Sequence, residues 1–242
     1  MQLLEMTWRD VEAHIQRRTR GLAILPAGSV EQHSLCMPIG TDTFIAEAIA
    51  SAIGNEVDSV VFPTVRPGLS QVPHLAFPGT ISHTSTTVIQ AIIEILLCAH
   101  RHGFRDFFVL NAHGLNTSPL ACALQDAAVD LHDCRFILQD WWQLPDVAAL
   151  LDRHTTRGGH ATAGELALMM FLHPQLVRKD KRLGKHEVKA EYWVSLDRVC
   201  ELTEAGNLGG NQQEATPELG KSLFRAIVAG CLKRIQDMAP PG

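Results

Sequence analysis

The chain has no excess of basic residues, no clustered thiols, no long apolar run and no leader-like start. Lys and Arg number 21 against 26 Asp and Glu, for a net charge of −5. That balance excludes the basic footprint of a nucleic-acid binder. The cysteines (Cys36, Cys98, Cys122, Cys134, Cys200 and Cys231) are scattered with no CxxC pair, which points to a reducing compartment. Cys98, Cys122 and Cys231 fall in apolar helical runs and are expected to be small core residues. The opening stretch MQLLEMTWRDVEAHIQRRTRG reads as amphipathic and lacks a basic segment followed by an apolar one, so no signal peptide is expected. No apolar run reaches the length of a membrane span. Internal repeats, low-complexity tracts and linkers are also missing. The expectation is one soluble, cytoplasmic domain over residues 1–242, large enough to need no covalent staples.

What is present is an alternation of short apolar runs with helical patterns. Strands are expected at 22–28, 59–65, 106–111 and 135–142. Helices are expected at 42–54, 85–103, 118–132, 162–174 and 218–238. Run-like strands separated by helices predict a single three-layer α/β/α domain with a mostly parallel central sheet. The stretch 175–217 has weak periodicity and several charges, and is expected to be a loop or hairpin excursion toward an active site or a neighbouring subunit.

In open α/β sheets, function gathers where strands end and loops enter the next helix. Glu31, His33 and Asp42 follow the first expected strand, and Arg66 and His74 follow the second. His113, in NAHGLN, follows the third; His154, His160 and Glu165 follow the fourth. Independent strands thus deliver imidazole and carboxylate to one edge. Glu31 and His33 are two apart, and in an extended segment they point to the same side. Imidazole with carboxylate and without clustered thiolate suits Zn²⁺, Mn²⁺ or Fe²⁺.

Each residue also has a purely structural use. Asp42 could cap the helix that it begins. Thr162-Ala-Gly-Glu165 has the capping-box pattern. His33 could be a hydrogen-bonded loop residue, His74 structural, and His160 a cover for a helix N-terminus. His14, His100, His102, His132, His173 and His186 lie on helical or charged stretches and are expected to be solvated.

LPAGSVEQHSLCMPIGTD resembles the signature of the creatininase (creatinine amidohydrolase) family, a Glu-Gln-His stretch followed by Leu-Pro-x-Gly-Thr-Asp. HLAFPGTIS, NAHGLN, GHATAGELALMM and GNLGGNQQEATPELG are similar, in order, to later segments of that family. The resemblance implies a two-metal amidohydrolase of α/β/α fold. Carried over by position, Glu31 and His113 would hold one metal and His33 the other, with Asp42 bridging. Three positions depart from the creatinine-opening pattern: Leu115 where a Glu ligand stands, Cys36 where a His stands, and Gly114 where a Tyr stands. Relatives that lack the first ligand use the later Glu, so Glu165 would complete the second metal, which also balances the charge of two divalent ions. Creatinine itself is therefore not the expected substrate.

The function that this resemblance implies is hydrolysis of a C–N bond in a small amide, lactam or formamide by water activated between two ions, Zn²⁺ or Mn²⁺ with Fe²⁺ as a further candidate. His160 would donate the proton to the leaving nitrogen, and Glu165 would act as base if it is not a ligand. Trp141 and Trp142 would shape the pocket. The rivals are ring opening of a sugar-like or nucleotide-derived substrate, for which Arg66, Lys181 and Arg182 give thin support, and a metal-binding protein without turnover. By resemblance alone, a homo-oligomer, a hexamer in this family, is expected.

Overall fold

In this computed structural model, which describes residues 1–17, 20–188 and 194–238, four short strands form one sheet. They are β1 (Gly21–Ala27), β2 (Val60–Val61), β3 (Phe104–Asn111) and β4 (Arg135–Asp140). All pairings are parallel, in the order β2-β1-β3-β4. Successive side chains of a strand point to opposite faces, and here both faces are apolar. Leu22 and Ile24 of β1 and Phe108 and Leu110 of β3 go to one face; Ala23, Leu25, Phe107 and Val109 go to the other. The first face is covered by α2 (Thr41–Glu56), α6 (Ala163–Leu172) and α7 (Pro217–Met238), with α5 (Pro145–His154) at its margin. The second is covered by α3 (Ser85–Arg101) and α4 (Thr117–Asp130), with α1 (Trp8–Gln16) alongside. The expected three layers and parallel sheet are thus present.

Local chemistry sets the element ends. Thr84 caps α3, its hydroxyl accepting from the Thr87 amide. Gly103, at φ +108°, turns the chain out of α3 into β3. α6 is apolar nearly all round, and seven of its ten residues are buried, as an interior helix requires. Burial of each large side chain there contributes about 1.5–3 kcal/mol. Gly220 allows α7 to lie directly on α6: a Cβ there would sit 1.8 Å from the Ala167 carbonyl oxygen.

Several bounds differ from the sequence expectation. Ladder pairing in β2 stops at Val61, because Pro63 has no amide to donate, and resumes at Val65, whose N–H donates to Pro26. β4 ends at Asp140, and Trp141–Gln143 form a 3-10 turn. α5, with Pro145 at its start, was not expected. Within 175–217, β6 (Lys185–His186) and β7 (Leu208–Asn211) pair antiparallel, and β7 also pairs with β5 (Gly158–His160). Cys231 is buried as expected, but Cys98 and Cys122 are exposed, on the outer sides of α3 and α4. His14 is fully buried rather than solvated, with Nδ1 3.5 Å from Asp58 Oδ1. It lies three positions after Val11, on the stripe that α1 turns inward. No helix among the described residues is long and apolar enough to cross a membrane.

Candidate metal centre

From β1 the chain crosses through α2 to β2 on one side, then through α3 to β3 on the other. The carboxyl ends of β1 and β3 therefore border the crevice where the winding reverses, the usual ligand position in such sheets. The loop after β1 brings Glu31 and His33 there, and the first turn of α2 brings Asp42. His113 arrives after β3, His160 ends β5, and Glu165 lies in the first turn of α6. All six converge, and all but Glu165 are buried; the Glu165 side chain is 14% exposed.

Asp42 stands at the middle. Its Oδ1 lies 3.0 Å from His33 Nε2 and its Oδ2 3.1 Å from His113 Nδ1. Ser29 donates to Oδ2 at 2.7 Å. Glu31 lies 3.1 Å from His113 Nε2 and 3.3 Å from His160 Nδ1, yet neither of its oxygens has a hydrogen-bond partner. A fully buried carboxylate in that condition is costly unless a cation completes it.

The imidazoles show the polarity of the site. His33 Nδ1 is 3.2 Å from the Glu31 carbonyl, His113 Nε2 is 2.8 Å from the Leu69 carbonyl, and His160 Nε2 is 2.7 Å from the Gln32 carbonyl. A carbonyl can only accept, so each of these nitrogens carries the proton. In the neutral rings, the opposite nitrogen keeps a lone pair, and in all three rings that nitrogen faces a carboxylate. Backbone anchoring of one ring nitrogen with the other turned to a cation is the usual arrangement of ligand histidines. As they stand, Glu31, His33 and Asp42 place donor atoms within 4.8 Å of one another, and so do His33, His160 and Glu165.

The electrostatics fit that geometry. Burial opposes charge on Glu31, but His113 and His160 outweigh it and hold the carboxyl at about 2. Burial likewise opposes charge on His33, and the Asp42 carboxylate overrides it, raising the imidazole to about 9. His113 is raised well above its ordinary value despite burial, by Glu31 and Asp42. Burial pushes His74 down to about 4 and His160 well below its usual value. Without cations, protons on His33 and His113 neutralise the carboxylates; cations would take their place.

Asp42 does not act as the helix cap. Gly40 holds that position, Asp42 lies inside the first turn, and its carboxylate faces the imidazoles. Glu165 closes the expected capping box and also turns one oxygen toward the cluster. Its Oε2 accepts from the Thr162 amide at 2.6 Å and the Thr162 hydroxyl at 2.9 Å, closing the capping box. Its Oε1 faces His33 Nε2 at 3.9 Å. His154 is exposed on α5, and Arg66 pairs with Glu47 on the surface at 3.1 Å. His74, which follows the second expected strand, does reach the cluster, whereas sequence reasoning left out Gln32. The His74 ring lies 4.3 Å from that of His160, and its Nε2 is 3.8 Å from Glu31 Oε1. Gln32 sits between two candidate ligands, and that position was its only signal. Backbone strain also gathers here: Ser34 and Ala161, next to His33 and His160, have φ of +60° and +52°.

The cluster opens on a cavity of about 500 Å³ lined by His74, His113, His160 and Glu165 together with Val72, Leu115, Val194 and Leu208. Val188, Val194, Leu202 and Leu208 show that the 175–217 excursion does reach the site. No Lys or Arg lines it among the described residues. A second cavity of about 580 Å³ shares Gly114, Gly159 and Glu165 with the first and is lined by Trp141 and Trp142.

A three-layer α/β/α fold with buried imidazoles and carboxylates at its switch point places this chain in a class of α/β proteins with a candidate nitrogen–oxygen metal centre. Residues 4–235 match the model of one family of that class, Creatininase, described as creatinine amidohydrolase, and the chain belongs to the creatininase family. It is 29% identical over 228 residues to the mycofactocin precursor peptide peptidase of Mycolicibacterium smegmatis, across 90% of this chain and 86% of that one. It is 23% identical over 252 residues to the creatinine amidohydrolase of Pseudomonas putida, across 98% and 96%. A solved creatininase variant of Zn-Zn type shares the fold with a TM-score of 0.91 at 23% identity, covering 99% of this chain and 98% of that one. A creatininase with Mn does so at 0.90 and 23%, covering 99% of each.

Proposed function

We propose that this chain is a metal-dependent hydrolase of C–N bonds, with two divalent ions held by Glu31, His33, Asp42, His113 and Glu165. The observation that carries this reading is the Asp42 carboxylate, flanked by His33 on one oxygen and His113 on the other. Asp42 would be shared by the two ions, with Glu31 and His113 as further ligands of one and His33 and Glu165 of the other. The unpartnered oxygens of Glu31 support the same donor set. Zinc and manganese both suit these ligands, and the creatininase structures of similar fold include Mn and Zn-Zn forms.

When bound, such ions supply Lewis acidity and a water of lowered pKa. The chain's own residues supply position and proton traffic. His160 is held by Gln32 with its Nδ1 lone pair toward the cluster. It accepts a proton from the attacking water at Nδ1 and returns it to the leaving nitrogen, acting as base and then acid. Glu165 serves as a ligand rather than a base, because Thr162 fixes one of its oxygens. Apolar walls at Val72, Leu115, Val194 and Leu208 exclude competing water and suit an uncharged amide, lactam or formamide. The absence of Lys and Arg from the described lining weighs against a phosphate-bearing substrate.

A second reading of the substrate is a linear amide such as a peptide bond. The second cavity, which meets the first at Glu165, favours it, because a linear chain can occupy both sides of the scissile bond. Trp141, in that lining, has a buried indole N–H with no hydrogen-bond partner among the described residues. The similarity to a peptide peptidase supports the same reading. The test is metal analysis of the purified chain, then a screen of cyclic amides, formamides and short peptides with the Zn²⁺- and Mn²⁺-loaded protein. Two ions per chain and turnover of one substrate class are expected. A chain that remains metal-free after supplementation would overturn the reading.

A further inference from the structure

Four imidazoles meet at the site, and one has the opposite polarity. Its orientation is set by Gln32, whose side-chain amide can be assigned without ambiguity. Gln32 Oε1 lies 2.9 Å from the Ser34 amide nitrogen, which can only donate. Gln32 Nε2 lies 2.8 Å from the Gly206 carbonyl, which can only accept. Flipping the amide would set donor against donor and acceptor against acceptor, at two buried contacts at once. The remaining N–H of Gln32 Nε2 therefore points to His74 Nδ1, 3.1 Å away, and that nitrogen must accept. The proton of a neutral His74 then resides on Nε2.

Gly206 holds this arrangement in place. The residue has φ +85°, and a Cβ there would lie 1.9 Å from Gln32 Oε1. The same Gln32 accepts the His160 N–H on its backbone carbonyl. One residue therefore gives its neighbours contrary orientations: a lone pair toward the cluster on His160 and an N–H on His74.

We propose that His74 is not a metal ligand but a fixed N–H donor for the carbonyl oxygen of the substrate. Spacing alone would group it with Glu31 and His160 as a possible metal triad. Its protonated Nε2 argues against that, since a ligating imidazole needs its lone pair there. The carboxylate oxygen that it faces, Glu31 Oε1, is 3.8 Å away, too far for a hydrogen bond. The ring lines the cavity beside His113 and His160. A donor held rigidly at the reacting centre stabilises the oxyanion that forms when water adds to the carbonyl carbon, without itself losing its proton. This inference rests on the hydrolase reading for its chemistry but not for its geometry.

The full chain, with histidine side chains labelled with ¹⁵N, tests it. In the metal-free and the Zn²⁺-loaded protein, His74 is expected to show a pyridine-type Nδ1 and a pyrrole-type Nε2, with the peaks assigned by their loss in His74→Gln. Zn²⁺ should shift the resonances of His33 and His113 and leave that tautomer unchanged. His74→Gln and His74→Phe should keep both ions. On a turned-over amide, His74→Phe should lower kcat by about a hundredfold, with His74→Gln recovering part of it through its own N–H. Gly206→Ala should displace Gln32 and leave His74 as a mixture of tautomers. A pyridine-type Nε2 on His74, or loss of an ion in His74→Phe, would overturn the proposal. If the wild-type chain binds no ion, the hydrolase reading fails, and the tautomer still decides the polarity of His74.

Discussion

Two buried carboxylates sit at opposite edges of the same sheet, and their surroundings differ in one respect. At the amino edge, Asp106 accepts from Arg20 at 3.0 Å and from Arg135 at 2.8 Å, and a second Arg135 contact closes a fork. At the carboxyl edge, Glu31 has imidazoles within 3.3 Å and no hydrogen bond to either oxygen. Both carboxyls are held below the ordinary range against the opposing effect of burial, Asp106 by Arg135 and Arg20, Glu31 by His113 and His160. Permanent guanidinium charges complete the first within the chain. The second depends on groups whose charge is exchangeable. A carboxylate satisfied by Arg belongs to the structure, whereas one that faces imidazoles without a hydrogen bond to either oxygen is open to a cation.

The largest expected effect comes from breaking the open cluster at its centre. Asp42→Ala should remove at least one of two ions, lowering metal affinity by more than the roughly 10–100-fold typical of changes one layer behind a ligand. Metal analysis after gel filtration checks this, and full retention of both ions would refute the bridging role. Glu165→Gln comes next. Gln can still close the capping box, so thermal stability should hold to within about 0.5 kcal/mol while the ion shared with His33 is lost. A large fall in stability instead would mean that the residue serves α6 alone.

The other edge should respond in the reverse sense. Asp106→Ala strands two partly exposed arginines and should cost about 1–3 kcal/mol in urea denaturation, less than a fully buried pair. Metal content and turnover should not change. The smallest effect is a difference in pH profile. In chelator, His33 is raised from 6.5 to about 9, so its contribution to stability is complete below 6.5 and fades as the pH climbs toward 9. His74 is lowered from 6.5 to about 4, so the unfolded chain gains the proton first and stability falls as the pH drops below 6.5. The melting temperature of the metal-free protein should therefore peak near pH 6.5. Saturating Zn²⁺ should flatten the alkaline side, because the ion replaces the His33 proton. A profile that is flat in chelator would contradict these shifts.

Strands rich in Val, Ile, Leu and Phe, with helices bounded by Thr, Gly and Pro, were legible from the sequence. β1, β3, β4 and the long helices needed no tertiary information. β5 and β7 were not legible, because GGH and LGGN carry almost no strand propensity and are held by pairing alone. α5 escaped because it carries little apolar signal: Val147 is its one buried residue, against seven in α6, which is equally long. Within the site, Glu31, His33, Asp42, His113 and Glu165 could be named from their positions after strands. His74 could be placed there as well, but not its polarity, which depends on which way an amide forty-two positions earlier is facing. That orientation depends in turn on Gly206, from a part of the chain with no readable period. Periodicity predicts which side of an element faces the core, not where a proton resides.

The wide sequence spacing of the cluster bears on how the protein matures. Glu31 sits after the first strand, whereas His160 and Glu165 are delivered by β5 and α6. A nascent or partly unfolded chain cannot gather these donors until its most distant segments have closed, and such long-range closure is the slow part of folding. A cation that engaged the full donor set would act as a latch, slowing the opening of a structure already made.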